Sequence, residues 1–512
     1  MATSFTRFRR FLPHHHLDRN AMAQPRNLLL DLPVEIVWKA LHLLPPKDLA
    51  PVALVSREAH DRCIPVLYGD LDDFDDMDAC ILCLRTLAKN VAYGKLVRRL
   101  DIGIFDQDGN IDEEEVTDVF LSADIELVAI DSEETIDAVE ATLAALIGGA
   151  MRNLPGLLKF TLRNGPEVYA EALELIHCAQ LETVTMRYSV ATHTFISNHP
   201  TLRHVSFPLL FDYQESGFFP YHDPASLPNL VSFTGPAVIA PLIISKSQNL
   251  KSLNLHNWAA TGECSATELF SQLQSSLENL QTMTSVSSTL PLDLLPAIER
   301  HGGRNLDSIS LQYLPRSGLN RQRNAEQERL FTETAVQQID THIALFPKLE
   351  SIIVKNRLLT SSALERLTSE QLVATIRGEF PRVLRWTRIC PTLNVISFPS
   401  GVVWGHMYTI KTRQAPSEDR ETLWGPALIP DDFETADEHR PDPEWCLRML
   451  SISGCDDHPP EYVVEAEEWL AGLREKDAAF VRDLELKLRS SGWLDAVVEV
   501  LNMLRQIRES AD

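Results

Sequence analysis

The chain has 512 residues, with 47 Lys and Arg against 72 Asp and Glu for a formal charge of −25, and 44% of it is apolar. Such a chain supports about two to four folded domains and excludes disorder throughout, while its net negative field opposes binding to nucleic acid or to an anionic membrane. No run approaches the roughly 18–20 consecutive apolar residues of a membrane-crossing helix. The eight cysteines, Cys63, Cys80, Cys83, Cys178, Cys264, Cys390, Cys446 and Cys455, are scattered and follow no secretory signal. That usage favours reduced thiols in the cytoplasm, the nucleus or both over a disulfide framework.

Residues 1–27 read as a basic, disordered tail. Arg7, Arg9, Arg10, Arg19 and Arg26 stand against Asp18 alone, with Phe5, Phe8 and Phe11 interleaved. This loosely fits a transit peptide, but Pro13 and His14, His15 and His16 break any amphipathic helix there, and a solvated tail is the simpler reading.

Residues 28–71 carry a compact helical signature. Pro33 suits a first helical turn, with Asp31 ahead of it complementing the positive helix start. Ile36, Ala40 and Leu43, with Val37, Leu41 and Leu44 beside them, form two adjoining stripes at helical spacing. Pro45 and Pro46 predict the end of this helix, and Asp48 the start of a second that carries Leu49, Val52 and Ala53, with Pro51 in its first turn. About forty residues cannot bury so wide an apolar face alone, so either the following domain or a partner must cover it.

The blocks Leu32-Pro33-x-Glu35-Ile36, Leu44-Pro45-Pro46-x-Asp48-Leu49, Leu54-Val55-Ser56-Arg57 and Pro65-x-Leu67-Tyr68 agree in order and spacing with an F-box of the fungal type, which this segment resembles. One departure is Ala59, where many relatives have an aromatic residue. The resemblance implies a three-helix unit that docks on the Skp adaptor of SCF (Skp, cullin, F-box) ubiquitin ligases. It also makes Leu32, Pro33, Ile36, Leu44, Pro45, Leu49, Leu54 and Val55 the adaptor-facing residues.

Residues 72–400 hold a degenerate repeat, apolar-x-x-apolar-x-apolar. It is found as Val97/Leu100/Ile102, Leu157/Phe160/Leu162, Leu181/Val184/Met186, Leu202/Val205/Phe207, Leu250/Leu253/Leu255, Leu306/Ile309/Leu311, Leu349/Ile352/Val354 and Leu393/Ile396/Phe398. Weaker copies stand at Leu230/Phe233 and Leu280/Met283. From Leu157 onward most intervals run from 20 to 30 residues, and the last two, of 43 and 44, imply insertions. One short strand per unit at this period is leucine-rich-repeat spacing. The intervening stretches predict helices, with Tyr169, Leu173 and Ile176 on one face and Leu269, Leu273, Leu277 and Leu280 on another. The repeat resembles the leucine-rich regions behind many F-boxes, although the asparagine of that pattern is mostly missing and Asn164, Asn257 and Asn356 come one position early. The predicted fold class is therefore α/β: an N-terminal three-helix F-box-like unit, then an irregular leucine-rich-repeat solenoid with short parallel strands inside and helices outside.

Residues 401–468 read as an acidic, loop-rich segment; from 417 to 468 there are 16 acids against Arg420, Arg440 and Arg448. Residues 469–512 read as a C-terminal helical segment, with Leu494, Val497, Val498, Leu501 and Leu504 on one face.

Two constellations carry a chemical alternative. In residues 104–115, Asp106, Asp108, Gly109, Ile111 and Glu115 match a calcium-loop template, but Ile104 stands where its first carboxylate is needed and a strand precedes it, so an exposed acidic loop is the reading. Cys80 and Cys83 have metal-like spacing in an apolar context with no second pair nearby, which favours buried helix cysteines. Trp258, Trp404 and Trp424 read as core or interface anchors. No catalytic residue, cofactor or metal is assigned. The resemblance implies a substrate-recognition subunit with Skp adaptor and cullin as partners, and the charge suggests a basic patch on the protein target. The alternative is a repeat scaffold with no ligase role, whose helical unit caps the array.

Overall fold

The computed structural model describes residues 34–426 apart from 72–73, 75–76, 104–112, 124, 128–134, 163–166, 175, 209–222, 257, 259–264, 316–320, 357–368, 401–402 and 409–421. The basic tail, Leu32 and Pro33, the ligand positions 106–111 of the Asp-rich loop, most of the acidic 417–468 stretch and the 469–512 segment lie outside the described residues.

The chain is mixed α/β. Its elements begin with α1 (Val34–His42), α2 (Pro46–Ala53), α3 (Arg57–Gly69), β1 (Asp70–Leu71), α4 (Met77–Lys89), α5 (Val91–Gly94), β2 (Arg99–Ile102), α6 (Glu113–Ser122) and α7 (Thr135–Arg152). There follow β3 (Lys159–Leu162), α8 (Glu167–Leu173), β4 (Thr183–Met186), α9 (Val190–Ser197), β5 (His204–Ser206), β6 (Ser232–Pro236), α10 (Ala240–Ile244), β7 (Ser252–His256), α11 (Ala266–Leu273) and β8 (Thr282–Ser287). The series closes with α12 (Leu294–Arg300), β9 (Ser308–Tyr313), α13 (Arg321–His342), β10 (Ser351–Asn356), α14 (Ser369–Ile389), β11 (Val395–Ser397), β12 (Val403–Tyr408) and β13 (Thr422–Pro426). Two compact units result, Met1–Gly235 with Leu242–Asn249, and Pro236–Pro241 with Leu250–Asp512.

In the first unit β1 to β6 pair in chain order, every neighbour parallel. The middle apolar residue of each repeat copy meets its counterpart in the next: Leu100 opposes Phe160, Phe160 opposes Val184, Val184 opposes Val205 and Val205 opposes Phe233. In the second unit β7 to β11 are parallel, and Leu253, Met283, Ile309, Ile352 and Ile396 form the same kind of row. All of these side chains are buried. A one-residue slip would turn the whole row to the other face, so this burial fixes the register.

The local geometry repeats with the sequence. The first apolar residue closes a turn: Leu157 N–H donates to Leu154 O, Leu181 to Cys178 O, Leu306 to Gly303 O, and Leu393 to Cys390 O. The carbonyl of the next residue then accepts two N–H groups from the following copy, as Leu158 O does from Glu182 and Thr183, Gln281 O from Asp307 and Ser308, and Asp307 O from Glu350 and Ser351. Parallel strands need crossover connections, and helices supply most of them. Leu269, Leu273, Leu277 and Leu280 are all buried, as are Tyr169, Leu173 and Ile176. The last two intervals hold the long helices α13 and α14; the first buries Phe331, Ala335 and Ile339 at i, i+4 and i+8.

Several details depart from the sequence expectations. Helix α2 begins at Pro46, ahead of Asp48, so Pro51 sits inside it and not in its first turn, and leaves one i→i−4 hydrogen bond unmade. The segment 401–468, expected to be acidic and loop-rich, contributes both β12 and β13, which pair antiparallel and place Trp424 opposite His406. Both segments carry Val, Trp, Tyr or Thr, residues suited to a pleated surface. The bracing asparagines also stand elsewhere than expected. Asn229, Asn249 and Asn305, each just before a repeat's first leucine, donate from Nδ2 to Pro200 O, Pro228 O and Glu278 O of the preceding copy, the last two at 2.9 Å.

Candidate functional site

The helical unit α1 to α3 is built around Val37, Leu41, Leu49, Ala53 and Cys63, with Val52, Val66 and Leu67 packed against them. Of the two apolar stripes on α1, Val37 and Leu41 of one face inward, while Leu44 at its end and Ile36 and Leu43 of the other are exposed. Ile36 is 48% exposed, Leu43 84%, Leu54 65% and Val55 69%, while Leu44 and Pro45 are also exposed. Covering Leu43, Leu54 and Val55 would stabilise a complex by several kcal/mol, at about 1.5–3 kcal/mol for a fully buried aliphatic side chain.

The turn that presents Leu54 and Val55 is fixed by its own backbone. Leu54 N–H donates to Pro51 O and Val55 N–H to Val52 O, both at 3.1 Å. Ser56 then caps α3 by accepting from the Ala59 N–H at 3.1 Å. Ala59 is buried, so an aromatic side chain in its place would have to displace packed neighbours. Tyr68 stacks on Tyr93 with ring centroids 4.7 Å apart, and burial pushes its hydroxyl up to about 12. Among the residues expected on the adaptor-facing surface, Ile36, Leu44, Pro45, Leu54 and Val55 are exposed, and Leu32 and Pro33 lie outside the described residues. Leu49 is a correction: it is 2% exposed and belongs to the core. Leu43, just past the end of α1, is exposed like Ile36 and Leu44 and is not among the residues that the resemblance implies.

A second surface follows from strand alternation. On β7 to β10 the residues between the buried apolar ones are mostly hydroxylic; all are half-buried except Ser310, which is buried and accepts at Oγ from Gln312 Nε2 at 2.9 Å. Ser252, Thr282, Ser308 and Ser351 occupy one register row, and Asn254, Thr284, Ser310 and Ile353 the next. The first charge on this face is Lys355, one row further on. The matching row of the first unit differs, running Arg99, Lys159, Thr183, His204 and Ser232.

Several titratable groups have structural partners. Glu379 on α14 is buried and accepts a hydrogen bond from Trp404 Nε1 at 2.9 Å; burial pushes its carboxyl up to about 7, against the opposing pull of Ser400, Trp404 and Arg382. Asp340 accepts from Trp386 Nε1 at 2.6 Å and from Arg385. Cys80 and Cys83 lie on α4, and burial raises both thiols. Among the described residues, no group of three His, Cys, Asp or Glu side chains is placed to hold a metal. No described helix is long and apolar enough to cross a membrane. An open cleft of about 420 Å³ is lined by Arg152, Glu171, Ala172, Ile176 and His177.

Comparison of the chain with protein-family models finds no match, and comparison with curated proteins finds none either.

Proposed function

We propose that the chain is a substrate-recognition subunit of an SCF-type ubiquitin ligase. In this reading α1 to α3 are an F-box that docks the Skp adaptor, and the in-register strands are a leucine-rich-repeat solenoid that holds a protein target. The observation that carries it is the set of exposed apolar side chains, Ile36, Leu43, Leu44, Leu54 and Val55, on a helical unit that already has its own core. Apolar groups left outside a complete core mark an interaction surface. The chemistry belongs to other subunits: holding a target beside a ubiquitin carrier raises effective concentration without a catalytic group in this chain. A cullin follows as an indirect partner, and the cytoplasm, the nucleus or both as the setting.

A scaffold reading has one observation in its favour. Helix α3 runs directly into β1, which pairs with β2 through Asp70 opposite Arg99, so the helical unit sits where an array needs a cap. Co-purification separates the two. The wild-type chain retains the Skp adaptor, whereas Leu54→Asp with Val55→Asp, and separately Leu32→Ala with Pro33→Ala, lose it while the melting temperature stays unchanged. Failure of the wild type to retain the adaptor, where an established F-box protein does, leaves the scaffold.

A further inference from the structure

The hydroxyl rows on β7 to β10 have a chemistry that the overall charge hides. Neighbouring strands stand about 4.8 Å apart and successive same-face residues about 7 Å, so the two rows cover a patch of about 14 by 7 Å. An extended segment of four or five residues, at about 3.4 Å each, crosses it. Ser and Thr hydroxyls both donate and accept, which suits peptide N–H and C=O groups and the amides of Asn and Gln alike. A charged side chain laid there would lose its water and meet no counter-charge in either row, which disfavours a basic or phosphorylated segment.

We propose that this face receives an extended, uncharged, amide- and hydroxyl-rich segment of a partner protein. The proposal rests on the ligase reading only in making that segment part of a target; the chemistry of the face stands without it. Any basic patch on the target is then met away from these rows.

The test uses the full chain and three pools of randomised ten-residue peptides: neutral polar, Lys- and Arg-bearing, and phosphoserine-bearing. The neutral pool should be enriched at least tenfold over the other two. Thr284→Lys and Thr284→Glu should both abolish that enrichment, and Thr284→Ser should keep it. Preference for the basic or the phosphorylated pool overturns the proposal. So does a Lys and Glu pair acting in opposite directions, or enrichment indifferent to Thr284. Ser308→Lys and Ser308→Glu repeat the comparison should either Thr284 variant lose its circular dichroism. Adaptor retention is read on the same preparations: its loss in the wild type sinks the ligase reading and leaves the peptide result intact.

Discussion

The Glu379 carboxyl makes a quantitative claim about how β12 is held. Its pKa rises from the ordinary 4.5 to about 7 because burial disfavours the charged form, and Trp404 Nε1 donates to it from β12. When the strand opens, the carboxyl meets water and its pKa returns toward 4.5. Between these two values the closed state binds the proton that the open state has lost, so closure is most favourable below about pH 4.5 and weakens as pH rises through 7. At about 1.4 kcal/mol per tenfold change, the span is worth about 3 kcal/mol. Glu379→Gln removes the titration and keeps an oxygen to accept from the indole. Hydrogen exchange of Val403–Tyr408, corrected for intrinsic rate, gives the opening free energy at pH 4.5 and pH 8.5. The difference between wild type and variant should shift by about 3 kcal/mol across that range, with the wild type losing ground as pH rises. A difference that stays flat, or one that turns against the wild type as pH falls, refutes the reasoning.

Three further outcomes follow from the same kind of accounting. His199 bonds Phe195 O through Nδ1 at 2.6 Å and accepts from the Cys178 N–H at Nε2, an arrangement for neutral imidazole, and burial holds its pKa below 6.5. Its contribution is therefore complete above pH 6.5 and lost as pH falls, opposite in sense to Glu379, and protection of the Cys178 amide should fall with it. Asn305→Ala removes an exposed brace between copies and should cost about 1 kcal/mol in urea unfolding. Cys80, fully buried on α4, should resist iodoacetamide at pH 8 until denaturant is added, because burial raises its thiol.

The strand positions were legible because most copies bury the same three apolar side chains, and a period in the sequence survives as a row in the ladder. Leu157, Phe160 and Leu162 show it as plainly as Leu349, Ile352 and Val354. The β12–β13 pair was not legible: antiparallel strands after the last copy obey no repeat, and Trp404 and Trp424 suit a core or an interface as well as a strand. On α1, periodicity resolved two apolar stripes but not which faced inward. That choice is made by α2 and α3, whose Leu49, Ala53 and Cys63 close over Val37 and Leu41 and leave Ile36 outside. The bracing asparagines were not legible because the leucine-rich pattern has its asparagine after the strand, whereas Asn229, Asn249 and Asn305 precede it.

The same comparison separates charge from contact. With 16 acids against Arg420, Arg440 and Arg448, residues 417–468 contribute −13, about half of the chain's −25. The rows from Ser252 to Ser351 and from Asn254 to Ile353 contribute nothing to it. Long-range attraction acts across roughly 10 Å at physiological salt and sets how often a partner arrives, whereas hydrogen bonds act only at contact and decide how long it stays. On the proposed reading, the acidic stretch draws a basic partner in and the hydroxyl rows select an uncharged segment of it. Neither property is visible in the net charge alone.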